Sequence, residues 1–198
     1  MHAIGTIVRL QIQRASLKTG DKPQRRYDPA PLLAVPRLQV TPDGVLGAAR
    51  DADAWIVDVH HRAHPATKNE DGLHGVSVGF TSHYAALRER FGERIAVGCA
   101  GENIIIAATR RFAFEDLQHG LAIVDADGGE RVRLNVLDVA RPCRPFTGWA
   151  LGQQVEPEVL KDSLRFLDAG MRGFYCLGVG NGTVSIGDQV VVLQDGHD

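Results

Sequence analysis

The chain has 198 residues, of which 44% are hydrophobic and 23% are charged, and its formal net charge at pH 7 is −2. This length is typical of one domain that buries roughly 70% of its unfolded surface, so we expect a single domain over residues 1–198. The balance of 22 basic and 24 acidic residues argues against a general nucleic-acid-binding protein, because such proteins are strongly basic. No apolar run approaches the ~18 residues of a membrane span, and the N-terminus lacks the pattern of a signal peptide.

The cysteines indicate the redox compartment. Cys99, Cys143 and Cys176 are far apart, so the sequence contains no CxxC pair, and the number of cysteines is odd. This spacing predicts free thiols in a reducing compartment. We therefore expect a cytoplasmic protein.

Strand patterns dominate the first third of the chain. In the first segment, every second residue is apolar or β-branched, which predicts a strand with one buried face. These residues are Ile4, Thr6, Val8, Leu10 and Ile12. A second strand pattern covers residues 32–40, where Pro36 predicts an edge position or a bend. The turn residues 42–44 (Pro-Asp-Gly) come next, and residues 54–59 predict a buried strand.

The segment 75–80 predicts a strand with one nearly bare face, because Gly75, Ser77 and Gly79 alternate with larger residues. Another backbone or a ligand can approach such a face closely. A helix is predicted next, capped by Thr81 or Ser82 and ended by Gly92.

The second half of the chain continues the β pattern. Strands are predicted at 103–107, 121–126 and 131–140, and the Asp-Gly-Gly sequence at 127–129 predicts a hairpin between the last two. A second helix is predicted from Pro157 to Ala169. The last strands are predicted at 175–180, 183–186 and 190–193, and Asn181-Gly182 predicts a hairpin between the first two. About ten strands and two helices predict a mainly β fold, a barrel or a sandwich.

Histidines are concentrated in the longest polar stretch, residues 58–72, which we expect to be a flap. His60, His61 and His64 form an HHxxH pattern that could bind zinc or nickel. The simpler interpretation is a solvated, substrate-facing loop, because adjacent residues of an extended loop point apart. His74 could face a pocket as a proton donor, but a structural histidine is the more common case.

The sequence VARPCRPF, residues 139–146, is the first candidate site. Two prolines fix the backbone around Cys143, and Arg141 and Arg144 would favour its thiolate form. A thiolate can attack an electrophile, carry sulfur or bind a soft metal. The alternative is a small buried core residue beside two solvated arginines. Cys99 and Cys176 have small or apolar neighbours, which predicts inert core thiols.

The sequence GENI, residues 101–104, is the second candidate site. A Gly-Glu-Asn turn before an apolar strand could hold an amide and a carboxylate over a pocket. By itself, it is equally a turn before a strand.

Five features in this order resemble the MOSC domain family, which is related to the C-terminal part of molybdenum cofactor sulfurases. They are GENI, the LxxG at 117–120, the Arg-Pro-Cys motif, GMRGFY at 170–175 and the GxxxxGDxV pattern at 182–190. The resemblance is clearest over residues 98–193. The segment 5–47 resembles the first strands of the family more loosely.

The resemblance implies a MOSC-type β-barrel whose hallmark cysteine corresponds to Cys143. In the sulfurase branch, linked to pyridoxal phosphate enzymes, this cysteine is thought to carry sulfur; in the amidoxime-reducing branch it ligates molybdenum. Small bacterial members are linked to the reduction of N-hydroxylated bases. The resemblance thus implies a molybdenum–pterin cofactor, with Cys143 as catalytic residue and metal ligand and Asn103 near the pocket. Arg141 and Arg144 are the candidates for binding the phosphate or nucleotide of the cofactor.

Two hypotheses from different classes follow. In the first, the protein reduces N–O bonds or transfers sulfur through Cys143, with a small-molecule substrate and a redox partner or sulfur-donor desulfurase. In the second, the barrel is a non-catalytic binding module for a sulfur-donor protein or a small anionic ligand, and Cys143 is structural. Neither hypothesis involves nucleic acid or a membrane. An accessible Cys143 beside a cavity would favour the first hypothesis.

Overall fold

The computed structural model describes residues 2–49, 54–152 and 156–194. Within these ranges the protein is mainly β, with fourteen strands and three α-helices. The strands are β1 (His2–Gln13), β2 (Lys18–Thr19), β3 (Arg26–Tyr27), β4 (Leu32–Val35), β5 (Arg37–Thr41), β6 (Gly44–Ala48), β7 (Trp55–Val57), β8 (Val76–Phe80), β9 (Ile104–Ala107), β10 (Leu121–Val124), β11 (Glu130–Val139), β12 (Phe174–Val179), β13 (Gly182–Ser185) and β14 (Gln189–Val192). The helices are α1 (Thr81–Phe91), α2 (Arg144–Leu151) and α3 (Pro157–Leu167).

Seven strands close into a barrel in the order β14-β10-β11-β12-β8-β9-β1, and β1 pairs again with β14. Only β8 and β9 among these described pairs are parallel, and α1 connects them. A parallel pair needs such a crossover, because a short turn cannot return the chain to the same end of the sheet. The predicted mainly β barrel is therefore confirmed.

Two smaller sheets accompany the barrel. A four-stranded sheet has the order β13-β5-β6-β7, and β2 and β3 form a short hairpin. Beyond β1, β4 extends the barrel sheet by pairing with the last four residues of that strand. None of the described helices is long and apolar enough to cross a membrane.

The apolar core has two parts. The larger cluster joins the barrel to the four-stranded sheet, with Leu10 of β1, Leu38 of β5 and Val184 of β13 among its fully buried members. The smaller cluster lies around the helices and includes Tyr84 of α1 and Phe146 of α2. Burial of these side chains is the main source of stability for both parts.

The predicted buried face of β1 is only partly correct. Leu10 and Ile12 are fully buried, but Val8 is 43% exposed and Ile7 is buried instead. The pairing of β1 with β9 shifts register between Ile7 and Arg9, which is a β-bulge. One extra residue reverses the alternation of faces, so no strict period of two could describe the whole strand.

The other predictions for the first half are partly confirmed. The pattern at 32–40 bends at Pro36 into two strands that belong to different sheets, and the turn at 42–44 joins β5 to β6. The predicted burial of the strand at 54–59 is wrong, because β7 lies at an edge and Trp55 is 37% exposed. Helix α1 ends at Gly92 as predicted, but neither Thr81 nor Ser82 caps it. Their hydroxyls instead donate to carbonyl oxygens of the segment after β9.

The predictions for the second half of the chain are partly confirmed. The hairpin through residues 127–129 is confirmed between β10 and β11, and α3 occupies most of the predicted second helix. The helix α2, directly after Cys143, was not predicted. The predicted hairpin at Asn181-Gly182 is wrong, because β12 pairs with β11 and β8, whereas β13 pairs with β5 of the other sheet.

Candidate functional site

Strand pairing brings segments of five barrel strands together. The last residues of β1 lie beside the start of β9, which runs parallel to β8. Ser77 of β8 pairs with Tyr175 of β12, and the neighbouring Phe174 pairs with Val139 at the end of β11. They surround a cavity of about 280 Å³, close to the lower end of the roughly 300–1,000 Å³ of small-molecule sites. The lining residues are Gln13, Ser16, Leu17, Lys18, Arg25, Tyr27, Val59, His60, Ala66, Lys68, His74, Ser77, Ala100, Gly101, Glu102, Ala140, Arg172 and Tyr175.

Cationic side chains predominate in this cavity. Lys18 and Arg25 come from the β2–β3 hairpin, Lys68 from the loop after β7, and Arg172 from the segment between α3 and β12. Lys18 and Lys68 are exposed, whereas Arg172 is only 7% exposed. Such a set of positive charges on a concave surface attracts an anionic ligand.

Arg172 connects the cavity to Cys143. Its Nη1 donates to the carbonyl oxygen of Arg141 at 3.0 Å and lies 3.6 Å from Cys143 Sγ, while Nη2 donates to the carbonyl oxygen of Ala100 at 3.1 Å. The guanidinium carbon is 4.5 Å from the centre of the Phe146 ring. The buried Nε has no hydrogen-bond partner among the described residues. A lost hydrogen bond at a buried donor is costly, so Nε is available for an acceptor on a ligand.

The protein holds Arg172 as a cation. Burial alone would lower its pKa, but the groups around it, with Cys143 the strongest, raise the pKa above its ordinary value. The positive charge thus persists in a nearly water-free position, where an electrostatic interaction with a ligand is strong.

Cys143 is the residue immediately before helix α2. Its side chain is half-buried against the smaller core cluster, and its carbonyl oxygen accepts hydrogen bonds from the amide and hydroxyl of Thr147. The sulfur is not part of the cavity lining, and Arg172 is the residue that contacts both. A helix N-terminus and a guanidinium group both stabilise negative charge on sulfur.

Glu102 is a buried carboxyl group in the wall of the same cavity. Burial raises its pKa to about 7, although a hydrogen bond donated by Tyr84 to Oε2 at 2.5 Å acts in the opposite direction. The other oxygen, Oε1, has no hydrogen-bond partner in the part of the chain that the structure describes. Glu102 therefore changes its charge near neutral pH.

Comparison with known proteins identifies the family of this chain. The family model of the MOSC domain matches residues 74–191, more than half of the chain. The chain belongs to the MOSC domain family. No curated protein matches the sequence.

Solved structures similar to this MOSC protein show the same fold at low sequence identity. The YuaD protein from Bacillus subtilis superposes with a TM-score of 0.58 at 14% identity, covering 96% of this chain and 97% of that protein. YiiM from Geobacillus stearothermophilus gives 0.55 at 14% identity, covering 97% and 76%. YiiM from Escherichia coli gives 0.51 at 12% identity, covering 84% and 67%.

Asn103, expected near the pocket of the MOSC barrel, is buried and does not line the cavity. Its Oδ1 accepts hydrogen bonds from the amide and hydroxyl of Ser77, and its Nδ2 donates to the carboxylate of Asp58 at 3.1 Å and to the carbonyl oxygen of Gln11 at 3.3 Å. All its hydrogen-bonding atoms are thus used within the protein. Asn103 thus lies beneath the cavity wall, where it links Ser77 to Asp58.

Arg141 and Arg144, the expected phosphate ligands, also lie outside the cavity lining. The side chain of Arg141 is 79% exposed and forms an ion pair with Asp138 at 3.5 Å, and Arg144 is exposed at the start of α2. Arg172 takes the place beside Cys143 that the sequence suggested for these two residues. The GMRGFY sequence contained Arg172, but no residue pattern showed that it would fold back onto the cysteine.

The remaining cysteines and histidines separate into buried and cavity-facing groups. Cys99 and Cys176 are buried as predicted, and burial raises the pKa of both thiols, to about 12 for Cys99. His60 and His74 line the cavity, and the ring centres of His74 and Tyr175 are 4.6 Å apart. His61 and His64 each accept a hydrogen bond from a backbone amide of their own loop. In the described parts of the chain, no three His, Cys, Asp or Glu residues could together hold a metal ion.

Proposed function

We propose that this MOSC protein binds a molybdenum–pterin cofactor in the cavity and reduces N-hydroxylated compounds, with Cys143 as the protein ligand of the metal. The observation that carries the proposal is Arg172, a buried cation in contact with Cys143 Sγ that also lines the cavity. It joins a sulfur ligand and an anion-binding surface in one site.

The residues fit such a cofactor in three respects. Arg172 has a buried, unpartnered Nε, and Lys18, Arg25 and Lys68 add positive charge, which together suit a phosphate-bearing molecule. Tyr27 and Tyr175 offer aromatic surface to a flat ring. The described chain supplies no set of three ligands, so a metal at Cys143 must bring most of its ligands with it, as a pterin-bound metal does.

Each part of the site then has a separate task. The bound cofactor would supply the two-electron chemistry that breaks an N–O bond. Cys143 would supply sulfur to the metal, a soft ligand that suits it. Arg172 fixes the position of the cysteine loop through the carbonyl oxygen of Arg141, and the lysines would hold the anionic end of the cofactor. A redox partner must deliver the electrons.

The molybdenum content of purified variants tests this proposal. From a host that makes the cofactor, we expect close to one molybdenum per wild-type chain and severalfold less in Cys143→Ser and in the double variant Lys18→Gln, Lys68→Gln. The two lysines are exposed, so their replacement should not disturb folding. Lys161→Gln, exposed on α3 and outside the cavity, is the matched control and should keep the metal. A wild-type protein without molybdenum would contradict the proposal.

One observation supports a second candidate, a binding module for a small anion. Cys143 is not part of the cavity lining, so the cationic cavity could act without the sulfur. In this case, the cofactor-free protein should bind inorganic phosphate equally well in wild-type and Cys143→Ser forms. Binding that is weakened only in the lysine variant, together with no molybdenum from a competent host, would favour this candidate over the first.

A further inference from the structure

His60 occupies a position in the cavity that the proposed cofactor-binding groups do not explain. It comes from the loop after β7, its side chain is 37% exposed, and it lines the cavity. Its Nδ1 lies 3.1 Å from Oδ1 of Asp58, whose side chain is fully buried. A histidine fixed by a buried carboxylate on a cavity wall has the arrangement of a proton-transfer group.

The hydrogen bonds around Asp58 determine which nitrogen carries the proton. The amide of Gln13 donates to Oδ2 at 2.7 Å, and the amide of His60 donates to Oδ1 at 2.8 Å. Both carboxylate oxygens therefore act as acceptors, so Nδ1 of His60 is the donor in its contact with Asp58. Nε2, on the opposite side of the ring, remains for a ligand.

The surrounding network holds this pair rigidly. Asn103 donates from Nδ2 to Oδ2 of Asp58 at 3.1 Å, and Asn69 donates from its side chain to the carbonyl oxygen of His60 at 2.8 Å. The asparagine of the GENI sequence thus acts on the cavity through Asp58 and His60. Removal of such outer contacts typically loosens the group that they orient.

Other charged and titratable groups share the cavity with His60. They are Lys18, Arg25, Tyr27, Lys68, His74, Glu102, Arg172 and Tyr175. Four of these, Lys18, Arg25, Lys68 and Arg172, carry a positive charge, whereas Asp58 is the carboxylate in direct contact with the ring of His60. The negative charge of Asp58 therefore offsets part of the positive charge around the ring.

We propose that His60, oriented by Asp58, is the proton donor for reduction in this cavity, an inference that rests on the proposed function. Reduction of an N-hydroxylated base breaks the N–O bond and takes up two electrons and two protons, giving an N–H group and water. The electrons come from the reductant of the proposed function, a reduced molybdenum centre. Doubly protonated His60 gives its Nε2 proton to the leaving oxygen, which departs as water, and keeps its Nδ1 proton toward Asp58. The second proton, taken from solvent, goes to the nitrogen.

The first test needs no cofactor. Long-range proton–nitrogen NMR spectra of the full chain with ¹⁵N-labelled histidine report which ring nitrogen carries the proton in the neutral form. The sequence has eight histidines, and the spectrum of His60→Gln identifies the signal of His60. We expect the proton on Nδ1, as the contact with Asp58 requires. A proton on Nε2 in neutral His60 would overturn the inference.

The second test uses the molybdenum-loaded protein with benzamidoxime as the probe substrate. His60→Gln should keep its molybdenum and its KM but lose about 10²–10⁴-fold in kcat, together with one limb of the pH–rate profile. His64→Gln, in the same loop but outside the cavity lining, is the matched control and should behave as the wild type.

The outcomes separate the two proposals. Equal molybdenum content with an unchanged kcat in His60→Gln would overturn the role of His60 and leave the proposed function intact. A wild-type protein that holds no molybdenum would overturn the proposed function and the reaction assigned to His60. The tautomer measurement would then still decide whether Asp58 orients the ring.

Discussion

At the scale of single residues, the carboxyl group of Glu102 has an unusual environment. Its Oε2 accepts the hydrogen bond of Tyr84, and its Oε1 lies against Gly79, where a Cβ would approach it to 2.6 Å. The bare face of the strand at 75–80, which the sequence predicted, thus makes room for this carboxyl group. Burial raises the pKa of Glu102 to about 7, so its protonation is coupled to folding.

The free energy of unfolding should therefore respond to pH through Glu102. Because its pKa is higher in the folded protein, the proton contributes stability below about pH 4.5, and this contribution disappears as the pH rises to about 7. Relative to Glu102→Gln, the wild type should lose about 3 kcal/mol over this interval. Urea unfolding of both proteins at pH 5 and pH 8 measures most of the difference.

The comparison between the two proteins is needed because His83 acts in the opposite direction. Burial lowers the pKa of His83 to about 4, so its contribution to stability increases as the pH rises from about 4 to 6.5. His83 is present in both proteins, and its effect cancels in the difference. Equal changes in stability for wild type and Glu102→Gln would contradict the burial of an ionisable carboxyl group.

At the scale of elements, local signals predicted the structure where neighbouring segments pair with each other. The hairpin at 127–129 is an example, because turn residues lie between two strands of one sheet. The short helix α2 was missed because its eight residues contain Pro145 and Gly148 and show too little periodicity. The turn at Asn181-Gly182 carried a hairpin signal, but the chain leaves the barrel there to pair with β5. Distant partners, not local preference, decided these elements.

The path from β12 to β13 depends on Gly182. A Cβ at this position would lie 2.0 Å from the carbonyl oxygen of Arg131 in β11. Since the obstacle is backbone, Gly182→Ala should lower the free energy of unfolding by about 2 kcal/mol or more. Chemical denaturation measures this change directly.

Gly148 in α2 offers a matched control for this substitution. Apart from the backbone of α2 itself, no atom of the residues described by the structure lies within 4 Å of a Cβ at Gly148. Because alanine has a higher helix propensity than glycine, Gly148→Ala should leave stability unchanged or raise it by up to about 1 kcal/mol. An equally small effect of Gly182→Ala would mean that Gly182 packs less closely against β11 than the structure indicates.

At the scale of the whole molecule, barrel closure creates the site. Gln13, Ser77, Glu102, Ala140 and Tyr175 are far apart in sequence, and they meet because β1, β8, β9, β11 and β12 are neighbours in the closed barrel. The sequence indicated the barrel and singled out Cys143, but it could not reveal this assembly. The cationic groups of the cavity come from loops and a short hairpin, which carry no periodic pattern.

The molybdenum X-ray absorption spectrum of the loaded protein tests the central claim most directly. If Cys143 binds the metal, the molybdenum of the wild type has one more sulfur ligand than the molybdenum retained by Cys143→Ser. Lys161→Gln should give the wild-type spectrum, because this exposed residue lies outside the cavity lining. An identical number of sulfur ligands in wild type and Cys143→Ser would contradict the assignment of Cys143 as the metal ligand.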